Sequence, residues 1–378
     1  LADVEQRNLQ NNIVGLEASR LFARSEINMG VDAFRDSLYA MLKRNTFLNI
    51  KFENMLDTLG EMSRTDLYSY LKEWEQLTPL PFYSIGEPEL TKVVNKGGEE
   101  FFVLKVLVSN NSDYDGIIQM NVLQNGWWYQ PMEDPRARKK VEIAAHTSKE
   151  FVSVWEEQIR DVEINTMVSG NLPYMIRQSI GNVKQERNKI VKDTIYTLPE
   201  SSLEMPGEVI VDNEDSTLFV LSTPAVVGLL PKWLDKVEDT SFKYSGISWW
   251  RAPLQWTATT NAKYYGKYIR SAYVIKSGDG SQTATWKIPV PEAGQYELYY
   301  HVFKDDELRW NDRLQGEYHF RVAYDSEMED AYINLRKANE GWEQLGTYYF
   351  SADTVRVVLT DECKLRSVTA DAVKIVKR

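Results

Sequence analysis

The sequence has very few of the residues from which reactive sites are usually built. Its 378 residues include one cysteine and three histidines. Cys363 alone excludes an internal disulfide framework and a thiolate zinc cage. His146, His301 and His319 are far apart in the chain, and none stands beside a serine or cysteine in a recognisable nucleophile setting. HExxH, CxxC, GxSxG, Walker-type and GxGxxG signatures are all missing. Long apolar runs are missing too. The best, residues 225–230, stops at Pro231, far short of the roughly 20 residues that cross a bilayer. Neither catalysis, nor a bound cofactor, nor a membrane span is expected.

Positive charge is also in deficit. Lys and Arg total 44 against 55 Asp and Glu, a formal net charge of -11. Such a surface repels phosphate backbones and anionic headgroups, so nucleic acid is not an expected partner. The chain opens at Leu1 with neither a basic stretch nor an apolar leader. The expectation is therefore a piece of a larger polypeptide, exported to the periplasm, cell surface or medium by a signal upstream. That upstream part is itself an expected partner.

What is present divides into three regions, at residues 1–80, 81–206 and 207–378. The first is helical. Leu9, Ile13 and Leu16, then Phe34, Leu38, Met41 and Leu42, then Phe52, Met55, Leu56 and Leu59 recur at helical spacing. Ser63 to Asp66 has the form of a capping box before Leu67, Tyr70, Leu71 and Trp74. Gly30, Asn45 and Gly60 punctuate these segments, and Pro79 and Pro81 end them.

In the second region the period shifts to alternation. Phe102, Leu104, Val106 and Val108 alternate with Lys105 and its neighbours, and strands follow near residues 117–122, 140–145, 151–155 and 162–168. The polar stretch 177–192 reads as a helix or linker. In the third region strands are expected at 209–213, 281–290, 295–302, 318–324, 354–359 and 370–376. The fold class is multidomain and mainly β: a short α-helical N-terminal segment followed by two antiparallel β-sandwiches.

Two resemblances add to this. Residues 29–74, MGVDAFRDSLYAMLKRNTFLNIKFENMLDTLGEMSRTDLYSYLKEW, resemble the helical tail after the catalytic region of aminopeptidase N-like (gluzincin) metallopeptidases, with Gly30, Phe34 and Trp74 at the matching points. The small β-sandwich of that family suits the second region. Its zinc motif is absent here, so no metal ligand carries over. The phrases VIVDN, ATWKIPVPEAGQYELYYHV, GWEQLGTYYF and ADAVKIV resemble, in order, the C-terminal module of golvesin-like proteins and bacterial xanthan lyases. That resemblance implies a carbohydrate-binding-like β-sandwich, here with an insertion at 224–257 and a charged loop at 304–313.

Sugar recognition needs flat aromatic faces together with a few polar groups. Trp286, Tyr296, Trp342 and Phe350 lie on or beside alternating strands and read as core. Gly294 and Gly346 read as tight turns or close strand approaches, and Asp371 as a carboxylate satisfying backbone donors of a neighbouring loop. The ligand candidates are Trp249, Trp250 and Trp256 beside Arg251 and Gln255, and Trp310 beside Arg309 and Asn311. Asp305, Asp306 and Asp312 are candidates for holding Ca²⁺. Trp127 and Trp128 read as an inter-domain contact. Asp305 and Asp306, adjacent on one loop, do not flank a scissile bond as glycosidase carboxylates do.

The leading expectation is a non-catalytic accessory region of a bacterial extracytoplasmic protein, with a last domain that binds polysaccharide or a cell-surface glycan. The alternatives are the C-terminal portion of a zinc metallopeptidase or a polysaccharide-degrading protein, with catalysis upstream, and a structural spacer.

Overall fold

A computed structural model describes residues 7–46, 48–75, 79–123, 134–181, 183–187, 191–200, 203, 207–222, 243–244, 246–247, 251–304, 316–325 and 327–378. The chain is mainly β with few helices, its strands spread over several small sheets. It forms two compact units, Leu1–Leu203 and Glu204–Arg378.

The first unit opens with helices α1 (Arg7–Met29), α2 (Val31–Arg44), α3 (Phe52–Ser63) and α4 (Leu67–Glu75). Gly30, at φ 85, separates α1 from α2 in a conformation that an L side chain rarely adopts. Leu21, Phe34, Leu56, Leu59 and Leu67 make the shared helical core. Leu42 and Phe52, expected on the buried stripes, are exposed instead. The expected capping box is also different. Ser63 ends α3, donating to Leu59 O at 2.6 Å, and Asp66 alone caps α4 by accepting from Ser69 N at 3.1 Å. Gly60 lies inside α3, and a Cβ there would meet Thr65 O at 3.0 Å. It allows a close approach and does not break the helix.

Helix α1 rests on the strands that follow. Arg24 pairs with Glu142 and Lys140 with Glu26, flanking a small contact of Ala23, Ile117 and Met167. The strands are β1 (Tyr83–Ile85), β2 (Glu89–Val94), β3 (Glu100–Asn110), β4 (Gly116–Leu123), β5 (Arg138–Ile143), β6 (Thr147–Trp155), β7 (Asp161–Asn165), β8 (Met175–Ser179), β9 (Val183–Arg187) and β10 (Thr194–Pro199). One sheet runs β10-β6-β3-β2-β9 with β1 added on β3, and a second runs β5-β4-β7-β8. Leu104, Val106 and Val108 of β3, with Ile118, Met120 and Val122 of β4 and Phe151 and Trp155 of β6, fill their common core. Asn171 ties the entry to β1, accepting from Tyr83 N at 2.9 Å and donating to Tyr83 O at 2.8 Å.

Within the expected helix or linker at 177–192, residues 177–179 and 183–187 are strand. Their polarity hid this, since β8 and β9 bury few side chains and show no alternation to read. One pairing, β2 with β9, is parallel, so the expected all-antiparallel arrangement does not hold in this unit. No hairpin links those two strands, and β9 is reached by a chain that has just left the other sheet.

The second unit contains β11 (Glu208–Val211), β12 (Phe219–Leu221), β13 (Thr257–Thr260), β14 (Ser271–Lys276), β15 (Thr283–Pro289), β16 (Gly294–Val302), β17 (Glu317–Tyr324), β18 (Glu327–Asn334), β19 (Gly341–Phe350), β20 (Thr354–Thr360), β21 (Ser367–Ala370) and β22 (Val373–Lys377). Its sheets run β11-β22-β16-β19, β12-β15-β20-β17-β18 and β13-β14-β21. Side chains from all three meet in one core. Trp286, Tyr296 and Phe350 lie in it as expected, with Tyr300 packed on Phe320 at 5.0 Å between ring centres. The single strand expected at 370–376 is two, interrupted at Asp371 and Ala372.

Candidate functional site

Most of the aromatic ligand candidates lie outside the described residues. Trp249 and Trp250 do, as do Asp305, Asp306, Arg309, Trp310, Asn311 and Asp312, and so do Trp127 and Trp128. Trp256 is described. It is half-buried against the core of the second unit, and its indole nitrogen is enclosed with no hydrogen-bond partner. Arg251 and Gln255 beside it are exposed. Among the described residues no cluster of His, Cys, Asp or Glu could hold a metal ion.

A different group of side chains comes together on the sheet β11-β22-β16-β19. Strand β16 alternates strictly: Tyr296, Leu298, Tyr300 and Val302 enter the core, so Glu297, Tyr299 and His301 face outward. Trp342 of β19 lies directly opposite His301, and Lys374 of β22 lies opposite Tyr299. Trp342 is thus half-buried on the outer face and is not part of the core, contrary to the reading of the sequence. Alternation cannot locate it alone, because the pairing of β16 with β19 shifts register between Leu298 and Tyr299.

Three rings form a patch there. Trp342 is 5.1 Å from His301 and 5.1 Å from Tyr265, and Tyr265 is 5.8 Å from His301, all centre to centre with tilted or edge-on planes. Tyr265 arrives on the turn between β13 and β14. Gly266 shapes that turn at φ 152, where a Cβ would lie 1.9 Å from Ile269 O. Beneath the rings sits Asp371, fully buried at the break between β21 and β22. Its carboxylate accepts from Tyr265 N at 3.2 Å through each oxygen and contacts His301 Nδ1 at 2.9 Å. The expected role of Asp371 on backbone donors of a neighbouring loop is therefore met, and the imidazole is added to it. Burial pushes the Asp371 carboxyl up from its ordinary range, while the His301 contact opposes that rise.

The surroundings are charged but internally paired. Lys374 holds its ammonium 4.9 Å from the centre of the Trp342 ring and 5.4 Å from that of Tyr299, and it pairs with Glu208 at 2.8 Å. Lys263 pairs with Glu340 at 3.0 Å. Of the predicted turn glycines, Gly346 admits a close approach, since a Cβ there would lie 2.8 Å from the Tyr348 ring. At Gly294 the nearest side-chain atom, from Lys377, would be 3.0 Å from such a Cβ.

The comparisons bear on this unit. The family model of the golvesin C-terminal domain matches residues 249–377, which include Tyr265, His301, Trp342, Asp371 and Lys374. No curated protein matches the chain. Among solved structures, a xanthan lyase from Paenibacillus is 18% identical, over 80% of this chain and 27% of its own, with a TM-score of 0.32. CBM35 from Cellvibrio japonicus Abf62 is 13% identical, over 30% of this chain and 75% of its own, with a TM-score of 0.21. A β-glucuronidase from Bacteroides uniformis is 12% identical, over 84% of this chain and 32% of its own, with a TM-score of 0.23. This chain therefore spans about a quarter of the length of the xanthan lyase and about a third of that of the β-glucuronidase. Residues 29–74 lie outside the matched family model.

Proposed function

We propose that this chain is a non-catalytic accessory region of a larger bacterial extracytoplasmic protein, and that its second unit binds a carbohydrate or another cell-surface polymer. The observation that carries this reading is the placement of the aromatic and imidazole patch within the stretch matched by the golvesin C-terminal domain model. Aromatic faces beside a few oriented polar groups suit a pyranose ring, whose C–H faces are apolar and whose rim is hydroxyl.

A hydrolytic role has less support. Among the described residues, no serine, threonine or cysteine side chain hydrogen-bonds to His301, as a nucleophile would. In this reading the chain carries a helical segment at 1–80 packed on a first β-sandwich at 81–206, and a second β-sandwich at 207–378. Trp249, Trp250 and Trp310 belong to the contact surface, and the metallopeptidase-like character of residues 29–74 rests on sequence resemblance alone. Affinity electrophoresis of the 378-residue chain through gels containing dissolved polysaccharides tests the reading. Retardation in at least one gel is expected; unaltered migration in a broad panel, neutral and acidic, overturns it.

A further inference from the structure

We infer that the ligand is a neutral, hydroxyl-rich glycan, and that His301 Nε2 accepts a hydrogen bond from one of its hydroxyls while the ring lies against Trp342 and Tyr265. This rests on the carbohydrate-binding reading and narrows it.

The imidazole is oriented before any ligand arrives. Asp371 is fully buried and is itself held by Tyr265 N, so its position is not free to follow a mobile ring. A carboxylate only accepts, so the neutral imidazole places its proton on Nδ1 and its lone pair on Nε2. Nε2 has no partner among the described residues, and 13% of the His301 side chain remains exposed. A fixed acceptor whose lone pair meets no described residue is what a sugar hydroxyl requires. An acceptor already aligned also loses less freedom on binding than a mobile one.

The electrostatics select against acidic sugars. A uronate or sulfate needs a cation able to turn toward it, and Lys374 and Lys263 beside the patch are already engaged. Lys374 is bound to Glu208 and faces the two aromatic rings. Lys263, two residues before Tyr265, is bound to Glu340, two residues before Trp342. Arg270 donates to Ala262 O at 2.9 Å and its charge acts on the buried Asp371 carboxyl, Lys267 lies 5.6 Å from the centre of the Tyr268 ring, and the chain as a whole carries -11. An anionic ligand would approach against the net negative charge of the chain.

The test uses the full chain in native affinity gels containing galactomannan or mixed-linkage β-glucan as neutral probes, and polygalacturonate or alginate as acidic ones. His301→Asn is the informative variant, because its amide nitrogen replaces Nδ1 toward Asp371 while Nε2 is deleted. Trp342→Leu removes the ring from the outer face without touching Asp371, and it decides the matter if His301→Asn fails to fold. Retardation by a neutral gel only, with each folded variant weakened about tenfold or more, is expected. Retardation by acidic gels only, or wild-type affinity in both variants, overturns this inference and leaves the carbohydrate-binding reading standing. Unaltered migration in every gel overturns both.

Discussion

Asp371 has no exposed surface, yet its carboxylate contacts His301 Nδ1 at 2.9 Å across 70 residues of chain. The contact joins the break between β21 and β22 to the outward face of β16, where the backbone adds a second tie from His301 N to Ala372 O at 2.9 Å.

Replacing Asp371 with Asn should reverse the imidazole tautomer. An amide nitrogen facing Nδ1 is a donor, so the neutral ring would move its proton to Nε2, while the amide oxygen still serves Tyr265 N. Histidine nitrogen shifts from long-range ¹H–¹⁵N spectra of the labelled chain read this directly. An unchanged Nδ1–H tautomer in the variant refutes the arrangement. Asp371→Ala strands both partners and should cost about 1–3 kcal/mol in urea unfolding.

The core beneath the patch offers a second test. Trp286 is fully buried, packs on Phe219 at 5.4 Å, and donates from Nε1 to Asp371 O at 3.1 Å. Trp286→Ala should destabilise the second unit by about 3–5 kcal/mol, through lost burial and a residual cavity. Trp286→Phe should cost less, since most of the ring volume is kept. Urea midpoints of the two variants check the order, and equal losses would contradict it.

Legibility in the sequence followed burial. Strands β3, β15, β16 and β20 sit with one face in a core, so their alternation was readable to within a residue or two. Strands β8 and β9 bury too little to show a period, and Asp371 and Ala372 divide what looks like one continuous apolar strand. The patch was harder to see because residues 265, 301, 342, 371 and 374 converge only through tertiary pairing. One signal was available: once Tyr296, Leu298, Tyr300 and Val302 are placed inward, His301 must face outward. The candidate tryptophans at 249, 250 and 310 lie outside the described residues, so their part in binding rests on their sequence setting.

Asp212, just past β11, supplies a test in pH. Burial raises its carboxyl pKa well above the ordinary value, and the neighbouring Asp371, Asp215 and Glu214 raise it further. A carboxyl whose folded pKa exceeds its unfolded value of about 3.9 binds its proton more tightly in the native state. Its stabilising contribution is therefore complete below about pH 4 and is lost as pH climbs through the raised value. Asp212→Asn, whose oxygen can still accept from Asn213 N, should be more stable than the parent at pH 7 and no more stable at pH 4. Urea midpoints at both pH values decide; a variant weaker than the parent at pH 7 would show that the anion is favoured in the fold.

His146 should behave in the same sense but in a higher window. It occupies a left-handed turn position between β5 and β6, at φ 53, with Nε2 2.8 Å from Asp113 and Nδ1 2.7 Å from Glu200. Both contacts are hydrogen bonds only when both nitrogens carry protons, so the two carboxylates favour the imidazolium. The contact with Asp113 contributes most to raising its pKa above the ordinary value, Glu200 comes next, and slight burial opposes them. A raised histidine contributes stability that is fully present below its unfolded pKa of about 6.5 and is lost as pH rises through the folded value. The histidine ring protons should accordingly titrate above 6.5 in the parent and return toward it when Asp113→Asn and Glu200→Gln are combined. Amide protection at the end of β10, beside Glu200, should fall over the same range. A titration midpoint at or below 6.5 in the parent would show that the two carboxylates do not hold the ring between them.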